Sequence, residues 1–238
     1  MSQLKSVQEK LRLVRVLRLL KKTYTYDELS KITGLPITVL NRYVRGKVLP
    51  SGERTKELLD LLLPLLNTEE EVKKRIKFDE RGFFDNMPVL SDTSLMSLIA
   101  EEVAGKYLDK DVDKVLTAAT DGIALGVHVA RELGVDVVYA KKKKEVGVEK
   151  FYEASYVPSA LGSVTTLYLP QWALRKGEKV LIVDDVIRSG ETQRALLEMC
   201  RQAGAKPVGM FFLISVGDIV EHLKGEYSIP VESLIRLE

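Results

Sequence analysis

One cysteine in 238 residues, Cys200, leaves the chain without an internal disulfide. It falls in a helix-patterned stretch, Ala195 to Ala203, and reads as a small buried hydrophobe rather than a nucleophile. No apolar run reaches the roughly 18–20 residues needed to span a bilayer. Nothing resembles a secretory leader. A cytoplasmic protein with no membrane partner is the expectation. Asparagine and glutamine are scarce and lysine, arginine and glutamate abundant, a bias seen in heat-adapted proteins. What is present is a hydrophobic fraction of 45%, sufficient for a proper core, in a length that suits one large or two small domains.

The net charge of +2 hides an asymmetry. Residues 1–66 hold 13 Lys and Arg against 6 Asp and Glu, a net of +7, which leaves −5 on the remainder. A basic small module suggests nucleic acid, and an acidic one does not.

Within the basic module, Leu4, Val7, Leu11, Val14 and Leu17 recur at helical spacing. A second, short helix spans Asp27 to Thr33 and closes at Gly34. Pro36 opens a third, which stops at Gly46. A fourth runs from about Glu53 to Leu66, with Pro64 placed to kink or end it. The stretch from Asp27 to Pro50 resembles the helix-turn-helix of phage-repressor (Cro/CI-like) proteins. The resemblance is carried by the turn Thr33-Gly34-Leu35-Pro36 and by the ending Arg42-Tyr43-Val44-Arg45-Gly46-Lys47. It implies Leu29, Ile32, Leu35, Val39 and Tyr43 as internal core. Ile37, Thr38, Asn41, Arg42 and Arg45 would face double-stranded DNA, with Lys47, Lys31, Lys21 and Lys22 at phosphates. One recognition helix is a small surface, so a homodimer is implied. The alternative is a small helical cap with a solvated basic face. The module shows no aromatic platform of the kind that reads single-stranded RNA.

Thr68 to Asp79 is a dense charge run with a thin apolar stripe (Val72, Ile76) and reads as an exposed connecting helix. Gly82 and Pro88 interrupt regular structure in the next stretch, with Phe83 and Phe84 expected to pin against the larger domain. Beyond Asp92, helix and strand patterns alternate. Helices are predicted at Ser94–Leu108, Ile123–Leu133 and Glu191–Ala203, and strands at Lys114–Ala119, Val135–Lys141, Lys179–Val183 and Lys206–Ile214. This order argues a parallel sheet flanked by helices, with ligands beyond the carboxyl ends of its strands.

The most informative stretch is Val180-Leu-Ile-Val-Asp-Asp-Val-Ile-Arg-Ser-Gly-Glu-Thr192. An apolar strand delivers Asp184 and Asp185 to a short polar loop that opens a helix. Loop amides and the helix dipole suit a phosphate, and the two acids can bond ribose hydroxyls or hold a metal. The stretch resembles the phosphoribosyl-pyrophosphate (PRPP) signature of type I phosphoribosyltransferases, with Gly190 and Thr192 in register. The resemblance implies that Val186, Ile187, Arg188, Ser189, Gly190, Glu191 and Thr192 surround the 5′-phosphate. Thr120, Asp121 and Gly122 would form the pyrophosphate loop, Lys141 and Lys142 would meet pyrophosphate, and Mg²⁺ would sit at Asp184 and Asp185. A mobile hairpin is implied between Glu145 and Gln171, closed by Glu153, Ser155 and Tyr156. The terminal Val208–Glu238 would give a hood in which Phe211 or Phe212 stacks on a base. Where 6-oxopurine enzymes carry an Asp that serves the base, this chain has Arg188, which cannot give up its proton near neutral pH.

Taken together, these motifs predict an α/β chain. Residues 1–66 form an all-α helix-turn-helix domain, 67–87 a linker, and 88–238 a type I phosphoribosyltransferase fold. The combination resembles archaeal PyrE-like regulators of the GfcR type. That resemblance implies a dimeric DNA-binding transcriptional regulator that senses PRPP or a nucleotide and has no catalytic residue. The alternative is an active purine or orotate phosphoribosyltransferase with an auxiliary helical domain.

Overall fold

The computed structural model describes residues 3–157 and 162–238. Residues 158–161, inside the segment expected to be a hairpin, lie outside the described residues. The chain divides into two compact units, Met1–Ile99 and Ala100–Glu238.

In the first unit, α1 (Gln3–Leu20) turns Leu13, Val16 and Leu17 fully inward, with Val14 nearly so. Helix α2 (Tyr26–Thr33) begins at a capping box in which the Thr25 hydroxyl accepts from the Glu28 N–H and the Glu28 carboxylate from the Thr25 N–H. The backbone bond from Thr25 is the largest influence holding the Glu28 carboxyl below its usual range. Gly34 (φ +67°) ends the helix in the left-handed conformation that lacks a Cβ penalty. Helix α3 (Ile37–Val44) follows, then α4 (Gly52–Leu62), capped by Ser51. A single 3₁₀ turn at Leu63–Leu65 carries Pro64, where the missing N–H stops the α-helix. The buried set here is Leu29, Leu40, Leu58, Leu59 and Leu62. Ile32, Leu35, Val39 and Tyr43, expected as core, are only half-buried. Leu40, on the inner face of α3, takes the central place instead.

The charge run forms α5 (Thr68–Arg75), capped by Asn67. It is not the exposed connector expected, because Val72 is fully buried and Glu71 and Ile76 nearly so. Arg75 bonds Glu71 at 2.6 Å and pairs with Asp92, which also takes Lys22. Residues read as a linker are thus folded into the first unit. A two-residue pair, β1 (Lys77–Phe78) and β2 (Phe84–Asp85), makes a small hairpin. Phe83 at its turn is 64% exposed, which corrects the expectation that it is pinned. The short α6 (Met87–Leu90) precedes α7 (Thr93–Tyr107), which crosses the division between the units.

The second unit is built on β3 (Lys114–Ala118), β4 (Asp136–Ala140), β7 (Lys179–Ile187), β8 (Lys206–Val216) and β9 (Val231–Leu237). These five pair in the order β4-β3-β7-β8-β9, and every pairing is parallel. Helices α8 (Gly122–Leu133), α9 (Glu191–Ala203) and α10 (Ile219–Glu226) make the crossovers. An antiparallel pair, β5 (Phe151–Tyr156) and β6 (Thr165–Pro170), stands outside the main sheet. The core lies between sheet and helices, around Leu116, Ile182, Leu196, Met199 and Phe212. Cys200 is part of it, its thiol pushed up to about 12 chiefly by burial. The terminal segment is not a hood: β9 extends the main sheet, and Phe211 and Phe212 are buried at 1% and 0% exposure, unable to stack on a ligand.

Gly209 on β8 lies against the buried ring of Tyr107, where an added Cβ would stand 2.3 Å from Cε1. Gly209→Ala should therefore overpack the unit, costing about 1–3 kcal/mol and several degrees of Tm. An unchanged thermal midpoint would contradict that packing.

Candidate functional site

The parallel sheet sets the site by its polarity. The carboxyl ends of β3, β4 and β7 deliver three short segments to one cavity of about 440 Å³. From β3 come Ala119, Thr120, Asp121 and Gly122, with the Ala119–Thr120 peptide cis. From β4 comes Lys142, and from β7 come Asp184, Asp185 and, past the turn, Thr192. Tyr156 of β5 and Leu167 of β6 complete the lining. The Thr192 hydroxyl donates to Tyr156 Oη at 3.1 Å, which ties the outer hairpin to the start of α9.

The two acids have different environments. Asp184 is 6% exposed, and both its oxygens are engaged. Oδ2 accepts from Gln193 Nε2 at 3.0 Å, while Oδ1 accepts from the Asp185 N–H at 3.2 Å and the Thr117 hydroxyl at 3.5 Å. Burial first, and the neighbouring Asp185 charge second, push the Asp184 carboxyl well above the usual carboxylate range. Asp184 is therefore a strut beneath the site. Asp185 is half-buried and lines the cavity. Among the described residues no three His, Cys, Asp or Glu side chains group as a metal site. Asp121, exposed, and Asp185, half-buried, both line the cavity, and Mg²⁺ takes one or two carboxylates and draws its other oxygens from substrate and water. Both acids expected to hold a metal, Asp184 and Asp185, border this cavity.

Gly122 has a role that sequence alone left out. An added Cβ there would stand 2.0 Å from Asp184 Oδ1 and 2.3 Å from Thr117 Oγ1. The residue lets α8 start directly on the carboxylate. Thr117 and Gln193 were missed as site residues because each sits inside a regular element with nothing unusual in its neighbours.

Both helices that begin at the cavity lack a side-chain cap: Asp121 makes no capping bond for α8, nor does Gly190 for α9. Helices α3 and α10 lack one too, whereas in α2, α4 and α5 Thr25, Ser51 and Asn67 fill that place. In α8 the Ile123 and Ala124 N–H groups donate to the Thr120 and Asp121 carbonyls at 3.2 and 3.3 Å, while the positive dipole end of each helix still favours an anion. Gly190 (φ +79°) makes the turn into α9. The turn is braced by Arg194, which donates to the Ser189 carbonyl at 3.0 Å and pairs through two nitrogens with Glu226.

The remaining predicted residues are dispersed. Ile187 is core, Val186 is half-buried, and Arg188 and Ser189 are exposed. Glu191 borders a neighbouring groove with Arg194, and Lys141 lines a second cavity. In the first unit Ile37, Thr38, Arg45 and Lys47 are exposed. Arg42 is exposed too, and Asn41 is half-buried.

A five-stranded parallel sheet with a cavity at its carboxyl edge defines a class, and the chain belongs to the phosphoribosyl transferase domain family, whose model matches residues 90–230. It is 33% identical over 153 residues to a xanthine phosphoribosyltransferase of Streptococcus agalactiae, covering 62% of this chain and 77% of that protein. It is 32% identical over 170 residues to an adenine phosphoribosyltransferase of Geobacter metallireducens, covering 68% and 94%. The crystal structure of adenine phosphoribosyltransferase from Rhodothermus marinus superposes with a TM-score of 0.61 at 27% identity, covering 71% of this chain and 98% of that one. These likenesses correct the reading of the chain as a DNA-binding transcriptional regulator. Its relatives are named as phosphoribosyltransferases, which backs the transferase alternative and lends no support to a double-stranded DNA partner.

Proposed function

We infer that the protein is a phosphoribosyltransferase that moves the ribose 5-phosphate unit of PRPP onto a purine base. The bond from C1 of the ribose to pyrophosphate breaks, a bond from C1 to a ring nitrogen forms, and the nitrogen's proton leaves. The observation that carries this reading is the pair of uncapped helix starts opening onto one cavity beside Asp185. They suit a substrate with phosphate groups at two ends. The 5′-phosphate fits the turn Ser189–Thr192, and the pyrophosphate fits the turn Ala119–Gly122 with Lys142. Asp185 would bond the ribose hydroxyls and, with substrate oxygens, hold Mg²⁺. When bound, that ion neutralises charge on the departing pyrophosphate. As the C1 bond to oxygen lengthens, positive charge grows on the ribose, and the Asp185 carboxylate stabilises it in a site partly shut from water. Tyr156 holds the hairpin over the reacting centre. The purine acceptor is supported by the names of the relatives. Arg188 cannot serve as the base for its proton.

Steady-state assays with PRPP, Mg²⁺ and each of adenine, hypoxanthine, guanine and xanthine test the reading. Turnover on the order of 1 s⁻¹ or faster, as typical enzymes show, is expected with at least one. Absence of nucleotide with all four would overturn it.

A further inference from the structure

The turn at the start of α9 is held from outside by one side chain, which bonds two successive carbonyls. Arg194 Nη1 donates to the Ser189 carbonyl at 3.0 Å, and the Arg194 backbone N–H donates to the Gly190 carbonyl at 3.0 Å. A peptide unit is planar and trans, so its N–H points opposite to its C=O. With both carbonyls drawn toward Arg194, the Gly190 and Glu191 N–H groups face the other way. Gly190 is left-handed, at φ 79° and ψ 3°, and Glu191 opens the right-handed helix. Two such residues in succession gather their N–H groups into one concavity, an anion nest. Arg194 is itself fixed. Its Nε and Nη2 donate to the two oxygens of Glu226, at 3.0 and 2.6 Å. Glu226 is the last residue of α10, and Ile219, the first, reaches the same turn: its Cδ1 would stand 3.2 Å from a Cβ on Gly190. Helix α10 thus backs the turn at both of its ends.

We propose that Arg194, clamped by Glu226, is a positioning residue that presets this nest for the 5′-phosphate of the substrate. Arg194 lines the groove beside the cavity and not the cavity itself. It therefore acts through the two peptide planes and not on the anion directly. The guanidinium suits the task because its planar fork serves Ser189 and Glu226 at once, where a lysine would offer a point charge. Amides already aimed need no ordering when the phosphate arrives. The benefit falls on binding of the phosphate end and not on the pyrophosphate end at the other turn. The inference rests on the transferase reading for which phosphate the turn receives; the clamp on the turn does not depend on turnover.

Ribose 5-phosphate and pyrophosphate are titrated separately into the full-length protein by calorimetry, with Mg²⁺ present. Arg194→Ala should weaken ribose 5-phosphate roughly tenfold, the scale of a lost charge-assisted hydrogen bond, and leave pyrophosphate unchanged. In turnover, KM for PRPP should rise by a similar factor while kcat and the purine KM hold. Glu226→Gln separates positioning from plain charge. Removing a carboxylate near the turn would tighten an anion by electrostatics alone, whereas releasing the clamp weakens it. We expect weakening, with no further loss when the change is combined with Arg194→Ala. The Glu226 side chain is 42% exposed, so its variant carries the test if Arg194→Ala fails to fold. The proposal is overturned if Glu226→Gln binds ribose 5-phosphate as well as wild type or better, if Arg194→Ala weakens both ligands equally, or if the two losses add. It is also overturned if the wild type takes up no ribose 5-phosphate. A chain that turns over no purine but shows these ribose 5-phosphate effects would refute the transferase reading alone.

Discussion

Asp185→Asn is expected to lower kcat/KM for phosphoribosyl transfer roughly 10²-fold, the ~2–3 kcal/mol carried by a charged hydrogen-bonding group. The substitution keeps the shape and removes the charge at the β7 carboxylate that lines the cavity with part of its surface open. The loss should appear in kcat as well as KM, because the charge matters most when the ribose turns cationic. Stability gives a second readout. Asp184 has a folded pKa above its unfolded value, raised first by burial and then by the Asp185 charge. Its contribution is therefore fully present below the ordinary carboxylate range and is lost as pH rises through the raised value. Removing the Asp185 charge moves the Asp184 pKa back toward ordinary, so the variant should lose less stability than wild type as pH rises through that window. Denaturant midpoints from acid to neutral pH check the sign. A variant with wild-type kcat/KM would displace Asp185 from the chemistry.

Much of the larger unit was legible because its signals are local. An apolar run such as Val180–Val183 has one use in an alternating α/β pattern, and the β7 turn carries acids, Gly190 and Thr192 in a fixed order. The predicted strands and helices of the parallel sheet match β3, α8, β4, β7, α9 and β8 to within a few residues. What failed depends on burial, which the residues do not announce. Phe211 and Phe212 look like stacking rings by composition, but β8 is flanked by strands on both sides and buries both faces. The charged surface of α5 suggested solvent, whereas Val72 and Glu71 are buried and Arg75 is tied into an ion cluster. The functional misreading has a related cause. A basic surplus and a short helix, glycine turn and helix are compatible with DNA, but neither feature specifies a ligand, and the relatives define the chain by its larger unit. Gln193 was invisible because nothing in Thr-Gln-Arg says that an amide will turn inward to meet a buried acid.

Gly122→Ala should abolish the site and weaken the fold together. On helix propensity alone the change would favour α8, since alanine is better than glycine by about 1 kcal/mol in a helix interior. Sterics reverse the sign. The new Cβ would fall 2.0 Å from Asp184 Oδ1, and that side chain cannot swing away cheaply because Gln193 and the Asp185 N–H hold it at 3.0 and 3.2 Å. Either the carboxylate leaves its partners or α8 lifts from the sheet. Both routes move the turn Ala119–Gly122 and Asp185 out of register, since they border the same cavity. We expect a loss of about 1–3 kcal/mol in stability, the cost of overpacking a tight core, and activity reduced by more than about 10²-fold, as a displacement of roughly 1 Å at reacting groups does. Gly225→Ala serves as the contrast. It lies in α10 with nothing within 4 Å of an added Cβ, so it should stabilise by about 0.5–1 kcal/mol and leave turnover alone. If the two variants melt and react alike, the contact between α8 and the Asp184 carboxylate does not organise the site, and the division between a buried strut and a working acid falls with it.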